Sequence, residues 1–169
     1  MKRKHWLILL AIIFLLPAIK AQDDKFKALF MYNFTKYLEW PPEKQKSEFI
    51  IGVYGTSAII SELNIIAQKR KVGTQQIIVK RITDPAQLKK CNIVYVPENR
   101  SVKINEVTNA CNGGGVVIVS DKEGLAKTHS GINYVKINGK QNFEISKKNL
   151  EKQGIKVNSA LLSLGIVVE

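Results

Sequence analysis

Between residues 49 and 121 the chain alternates short apolar runs with stretches whose apolar residues recur every three or four positions. FIIGVYG (49–55), QQIIVKRI (75–82), CNIVYV (91–96) and GVVIVSD (115–121) are β-branched, of strand length, and read as strands. After the first of them, SAIISELNIIAQK sets Ile59, Ile60, Leu63, Ile66 and Ala67 at helical spacing, with Thr56 and Ser57 as N-cap candidates. DPAQLKK (84–90) predicts a short helix with Asp84 as cap and Pro85 at its first position, and SVKINEVTNAC (101–111) predicts another that NGGG breaks. Strands apolar on both faces that alternate with helices predict an α/β fold, a mostly parallel sheet covered by helices on both faces.

Past Asp121 the pattern changes. GINYVKI (131–137) and QNFEIS (141–146) alternate apolar with polar residues and are joined by Asn138-Gly139, the strongest short hairpin signal, so an antiparallel hairpin is expected at one edge of the sheet. KKNLEKQGI then predicts a helix closed by Gly154, IKVNS an extended segment, and SALLSLGIVV (159–168) a short apolar helix, alone or followed by a strand. Ahead of all this stands FKALFMYNFTKYLEW (26–40), in which Phe26, Phe30, Phe34 and Tyr37 form one aromatic stripe of a helix with Trp40 beside it. Pro41 and Pro42 stop that helix at Trp40. Such a stripe is core, or, where an edge of it stays exposed, a docking surface.

The start of the chain has a different character. MKRKH is cationic, Trp6 to Ile19 carries no charge, and AIKAQDD follows with small Ala18 and Ala21, the pattern of a secretory signal peptide over residues 1–21. Its uncharged run of about fourteen residues falls short of the roughly 20 that span a bilayer as a helix. Without those residues, which hold Lys2, Arg3, Lys4 and Lys20 and no acid, the formal charge falls from +12 to +8 and residues 22–169 remain as one domain. Dispersed cations on an exported protein argue against nucleic acid and suit a solvated basic surface, anionic headgroups or an acidic partner. In an oxidising compartment Cys91 and Cys111 favour a disulfide, because the first begins a strand and the second ends the helix that returns alongside it.

Candidate chemistry is thin. In a sheet of this kind ligands sit outside the carboxyl ends of the strands, here Gly55, Thr56 and Ser57, then Glu98 and Arg100, then Ser120 and Asp121, which outline a weak small-molecule crevice. GVYGTS lacks the Lys of a P-loop and the third Gly of a dinucleotide fingerprint. His129 is the one histidine past the leader, there is no G-x-S-x-G elbow or clustered ligand set, and Glu98 with Asp121 is the single carboxylate pair that the topology places near each other. No catalytic residue, cofactor or metal is expected.

The order of motifs resembles the YfiR family of exported bacterial proteins: KALFMYNFTKYLEWP (27–41) after a leader, IIGVYG (50–55), CNIVYVPE (91–98) followed by VVIVSD (116–121), and INYVKINGKQNFEIS leading to GIKVNSALLSLGIVV (154–168). The resemblance implies a periplasmic α/β regulator, not an enzyme, that binds the sensor region of an inner-membrane receptor. In the family that receptor is a diguanylate cyclase, so that the output is cyclic-di-GMP; a sensor histidine kinase is an equally open partner, and a second copy of the chain in a homo-oligomer is another. The rival functions are a periplasmic small-molecule binding protein and, less well supported, an exported hydrolase.

Overall fold

A computed structural model describes residues 22–169, so the expected leader at 1–21 lies outside the described residues. Among the described residues helix α1 (22–34) comes first, followed by strand β1 (Leu38–Glu39). It then alternates β2 (Phe49–Tyr54), α2 (Ile59–Lys69), β3 (Lys71–Val72), β4 (Gln75–Ile82), a 3-10 turn (Pro85–Lys90) and β5 (Ile93–Val96). A second 3-10 turn (Glu98–Lys103) leads into α3 (Ile104–Cys111), β6 (Val117–Ser120) and α4 (Leu125–Thr128). The rest is β7 (Ile132–Ile137), β8 (Lys140–Ile145), α5 (Lys147–Lys152), β9 (Lys156–Val157), α6 (Ser159–Leu164) and β10 (Ile166–Val167).

Eight strands form one mixed, mostly parallel sheet in the order β10-β8-β7-β6-β5-β2-β4-β3, and β1 with β9 makes a separate antiparallel pair. Within the sheet only β7/β8 and β3/β4 are antiparallel. Period-two alternation sends the residues of each central strand into two buried clusters. Phe49, Ile51 and Val53 join Tyr95, α1 and α2, whereas Val94, Val96 and Ile118 join Leu88, Val107 and the two cysteines. The hairpin turn is of the primed type, Asn138 (φ 51°) and Gly139 (φ 76°) both being left-handed.

Two expectations need correction, the end of the first helix and the place of the hairpin, and two predicted helices are refined in type. The first helix ends at 34, six residues before Trp40. Thr35 Oγ1 folds back to donate to the Tyr32 carbonyl, residues 35–37 close i→i−3 turns, and Leu38 and Glu39 extend to pair with Val157 and Lys156. The DPAQLKK segment is 3-10 rather than α-helical, though Asp84 accepts from the Ala86 N–H as expected. The helix expected over 101–111 opens as 3-10, and its α-helical part starts at Ile104. The β7–β8 hairpin lies one strand in from the edge, because β10 pairs parallel with β8. Gly165 permits that approach, since a Cβ there would collide with the Phe143 ring.

Candidate functional site

The ends of β2, β5 and β6 bring part of the predicted crevice together. Thr56, Ser57, Glu98 and Asp121 line one open cleft of about 440 Å³ with Asp24 and Tyr95. Three predicted members, Gly55, Arg100 and Ser120, are not among its lining residues. Ser120 is fully buried, donates from Oγ to Asn133 Oδ1 at 2.6 Å, and therefore accepts from Ser130 at 2.6 Å. Arg100 lies over Gly55, whose φ of +95° and lack of a Cβ make room for the guanidinium stem.

What the crevice owes to α1 was not expected from the strands. Lys27 Nζ donates to Asp121 Oδ2 at 2.6 Å, Tyr95 OH donates to the same oxygen at 2.8 Å, and Tyr134 OH donates to the Lys27 carbonyl at 2.6 Å. The first turns of the helix are thus tied across the carboxyl ends of the sheet. Burial pushes the Asp24 carboxyl above the usual range; Lys27 opposes that push, and Asp121 and Asp23 add to it. Burial, then the Asp121 charge, raises the Tyr95 hydroxyl, so it stays a donor. A second cleft of about 530 Å³ shares Glu98 and Asp121 and is walled by Asp23, Lys27, Lys136 and Glu144. Only one signal in the sequence pointed this way: a Tyr in the apolar run NIVYV needs a partner for its hydroxyl once buried.

The aromatic stripe divides along its length. Phe34 (2% exposed) and Trp40 (5%) are core, Phe30 and Tyr37 are half-buried, and Phe26 (46%) faces solvent beside Leu29 (47%). Between α1, β8 and α6 runs a groove of about 410 Å³ lined by Phe30, Phe34, Tyr37, Phe143, Leu161 and Leu164. Leu164, Ile166 and Val167 are exposed. Asn33, at the groove wall, accepts from Lys36 Nζ at 2.9 Å.

Cys91 and Cys111 are fully buried in the same cluster and are free thiols in this structure. The Cys91 sulfur points back toward the Gln87 carbonyl and packs where Gly52 has no side chain. Burial pushes the two thiols up to about 11 and about 12. Being protonated and enclosed, neither should react with iodoacetamide in the folded protein at pH 8, where intact mass would show no adduct.

His129 contacts Thr128 and Asn105 and has no carboxylate partner among its hydrogen bonds. No group of three or more His, Cys, Asp and Glu fit to hold a metal occurs among the described residues, and no described helix is long and apolar enough to cross a membrane. Fold and site together define a small α/β protein whose surface carries an apolar groove and an acid-lined crevice. The model of the YfiR/HmsC-like family matches residues 24–166, and the chain belongs to that family, one of periplasmic, non-catalytic regulators of signalling. Comparison with curated proteins finds no match.

Proposed function

We propose that residues 22–169, exported by the leader at 1–21, act in the periplasm as a stoichiometric regulator that binds the sensor region of an inner-membrane signalling protein. A diguanylate cyclase is the first candidate from the family, and a sensor histidine kinase the second. The observation that carries this reading is the apolar surface on α1 and the C-terminal segment, where Phe26, Leu29, Leu164 and Val167 are exposed and Leu164, with Phe30, lines an open groove. Large side chains left in water around a pocket are what an interface core is made of. Regulation follows by population shift: binding one receptor state better than the other biases signalling by the ratio of the two affinities.

The test is capture of the tagged protein's partner from detergent-solubilised envelopes. The intact protein should retain a single inner-membrane receptor. Phe26→Asp with Leu29→Asp should lower capture about 100-fold, the loss of two hot-spot contacts, and leave the melting temperature within about 3 °C because both side chains are exposed. Undiminished capture by that variant would place the interface elsewhere; recovery only of the same chain would turn the surface into a homo-oligomer contact.

A second reading draws on the clefts at the strand ends. A small molecule bound between Asp24, Glu98 and Asp121 would meet the same carboxylate that anchors α1, so occupancy would act on the helix that bears Phe26. Thermal-shift screening tests it, and a flat response to amino acids, nucleotides and amines would remove it. Oxidation of Cys91 and Cys111 to a disulfide in the envelope remains part of the proposal, since both face one cluster. Closing a loop of about 20 residues would stabilise the fold by roughly 3 kcal/mol. Alkylation of the denatured, unreduced monomer should then add nothing, and two adducts would show that the thiols stay reduced.

A further inference from the structure

The parallel strands β2, β4 and β5 all begin at one end of the sheet, with Phe49 level with Ile77 and Ile51 level with Ile93. Side chains tie the loops at that end into one surface. Gln75 Nε2 donates to the carbonyls of Lys44 (3.0 Å) and Ser47 (2.6 Å), and Gln76 Nε2 donates to the Ala67 carbonyl (3.0 Å) near the end of α2. Lys44, half-buried, directs its ammonium to the carbonyls of Lys89 and Cys91. The segment 42–47, the turn after α2 and the turn before β5 are therefore held side by side.

What they present is charge. Lys46, Lys69, Arg70, Lys71, Lys89 and Lys90 are all exposed, and none of them takes part in an ion pair among the described residues. Glu43 and Glu48 are the acids of these segments. At the opposite end of the strands acids outnumber cations, with Asp23, Glu98, Asp121, Glu123 and Glu144 around one cleft against Lys27 and Lys136, which pair with Asp121 and Asp23. The molecule is electrically polarised along its strands.

We propose that the basic end of the sheet docks on an anionic phospholipid surface. Charge complementarity selects an anion, and the form of the patch selects an extended one. Five of the six cations are lysines, which act as mobile point charges rather than the planar forks that grip a single phosphate or carboxylate. They project from adjoining turns and a helix end, and they wall none of the described clefts that have polar ligand groups. Attraction of this kind adds up charge by charge near an anionic leaflet and decays over about 8–10 Å at physiological salt. Adsorption would turn the acidic strand ends, with the first turn of α1, away from the bilayer. It needs no receptor, so it stands apart from the capture experiment above.

Partition of the exported protein between buffer and large vesicles tests the proposal. The quantity read is the ratio of partition onto vesicles with about one-third phosphatidylglycerol to partition onto phosphatidylcholine alone. The ratio should exceed about 10 at low salt and collapse toward 1 in about 0.5 M NaCl. Lys69→Gln, Arg70→Gln and Lys71→Gln together should lower phosphatidylglycerol binding about 100-fold, whereas Lys122→Gln, Lys127→Gln and Lys140→Gln, an equal loss of charge elsewhere on the surface, should lower it less than about 3-fold. Lys89→Gln with Lys90→Gln provides a second variant should the first lose its fold, with an expected loss of about 10-fold or more. A ratio near 1 at low salt, or equal loss in the two triple variants, overturns the proposal. So does binding of polyglutamate without binding of phosphatidylglycerol vesicles, which would make the occupant an acidic polypeptide; glycerol phosphate should not compete.

Discussion

Phe34→Ala is expected to lower the stability of the fold by about 3–5 kcal/mol, while Phe26→Ala, eight residues earlier on the same stripe, changes it by less than about 0.5 kcal/mol. The two residues differ in where the helix carries them. Phe34 is 2% exposed at the end of α1, its ring edge-on to Phe143 at 4.9 Å and 6.2 Å from Tyr134, so its removal opens a cavity where helix, β7 and β8 meet. Those neighbours lie on paired strands and cannot collapse into the gap. Phe30, half-buried and 6.5 Å from Phe34 centroid to centroid, should fall between, at about 1–2 kcal/mol. Urea unfolding of the three variants decides the matter. A loss for Phe26→Ala comparable to that for Phe34→Ala would mean that the outer half of the stripe is core as well, and would remove the docking surface.

That gradient shows what periodicity can and cannot tell. Spacing puts Phe26, Phe30 and Phe34 on one face, but burial also depends on how far the sheet reaches under the helix, which is a tertiary fact. The central strands were legible because β2, β5 and β6 are apolar at nearly every step, and the Asn138-Gly139 turn because few residue pairs tolerate two left-handed conformations in succession. The end of α1 was not. TKYLEW has the residues of a helix, yet Leu38 and Glu39 are taken up by β9, more than a hundred residues away, and Asn158 N–H bonds the Tyr37 carbonyl. The strand that the sequence offered after the last helix is β10, only Ile166 and Val167; what no pattern showed is its partner, since it covers the edge that β8 would otherwise leave open.

The crevice was half legible for a related reason. Strand ends in a parallel sheet point to a ligand position by topology alone, which is how Thr56, Ser57, Glu98 and Asp121 were foreseen. The groups that fix its charge, Asp24 and Lys27, come from a helix whose crossing direction no local pattern encodes. Ser120 was misplaced by a single residue of alternation: it follows Val119 into the fold and satisfies Asn133, while Asp121 emerges at the cleft.

Lys27→Met should be the most damaging change at that crossing, with an expected loss of about 2–3 kcal/mol at pH 7. Methionine keeps the aliphatic stem and leaves the Tyr134 bond to the backbone carbonyl intact, so the loss isolates the ammonium. The lysine and Asp121 side chains are only 12% and 20% exposed, and without the cation Asp121 keeps Tyr95 as its one remaining side-chain donor. Asp121→Asn should lose less, about 1 kcal/mol, because an amide oxygen still accepts from Tyr95, and the double variant should fall short of the sum of the two. Asp24 gives the effect a pH signature. Its carboxyl is already raised by burial against the opposing pull of Lys27, so removing Lys27 raises it further. A carboxyl raised in the folded state contributes stability that is complete below its unfolded pKa and lost as pH climbs through the folded value. The deficit of Lys27→Met should therefore be smaller at pH 4 than at pH 7. Denaturation at both values, read beside receptor capture, separates two roles for this contact. A deficit that does not change with pH, or one below about 0.5 kcal/mol, would make the pair an ordinary surface bridge. The expected pH-dependent deficit, joined to weaker capture with Phe26 untouched, would show that the crevice holds α1 in the position from which it docks.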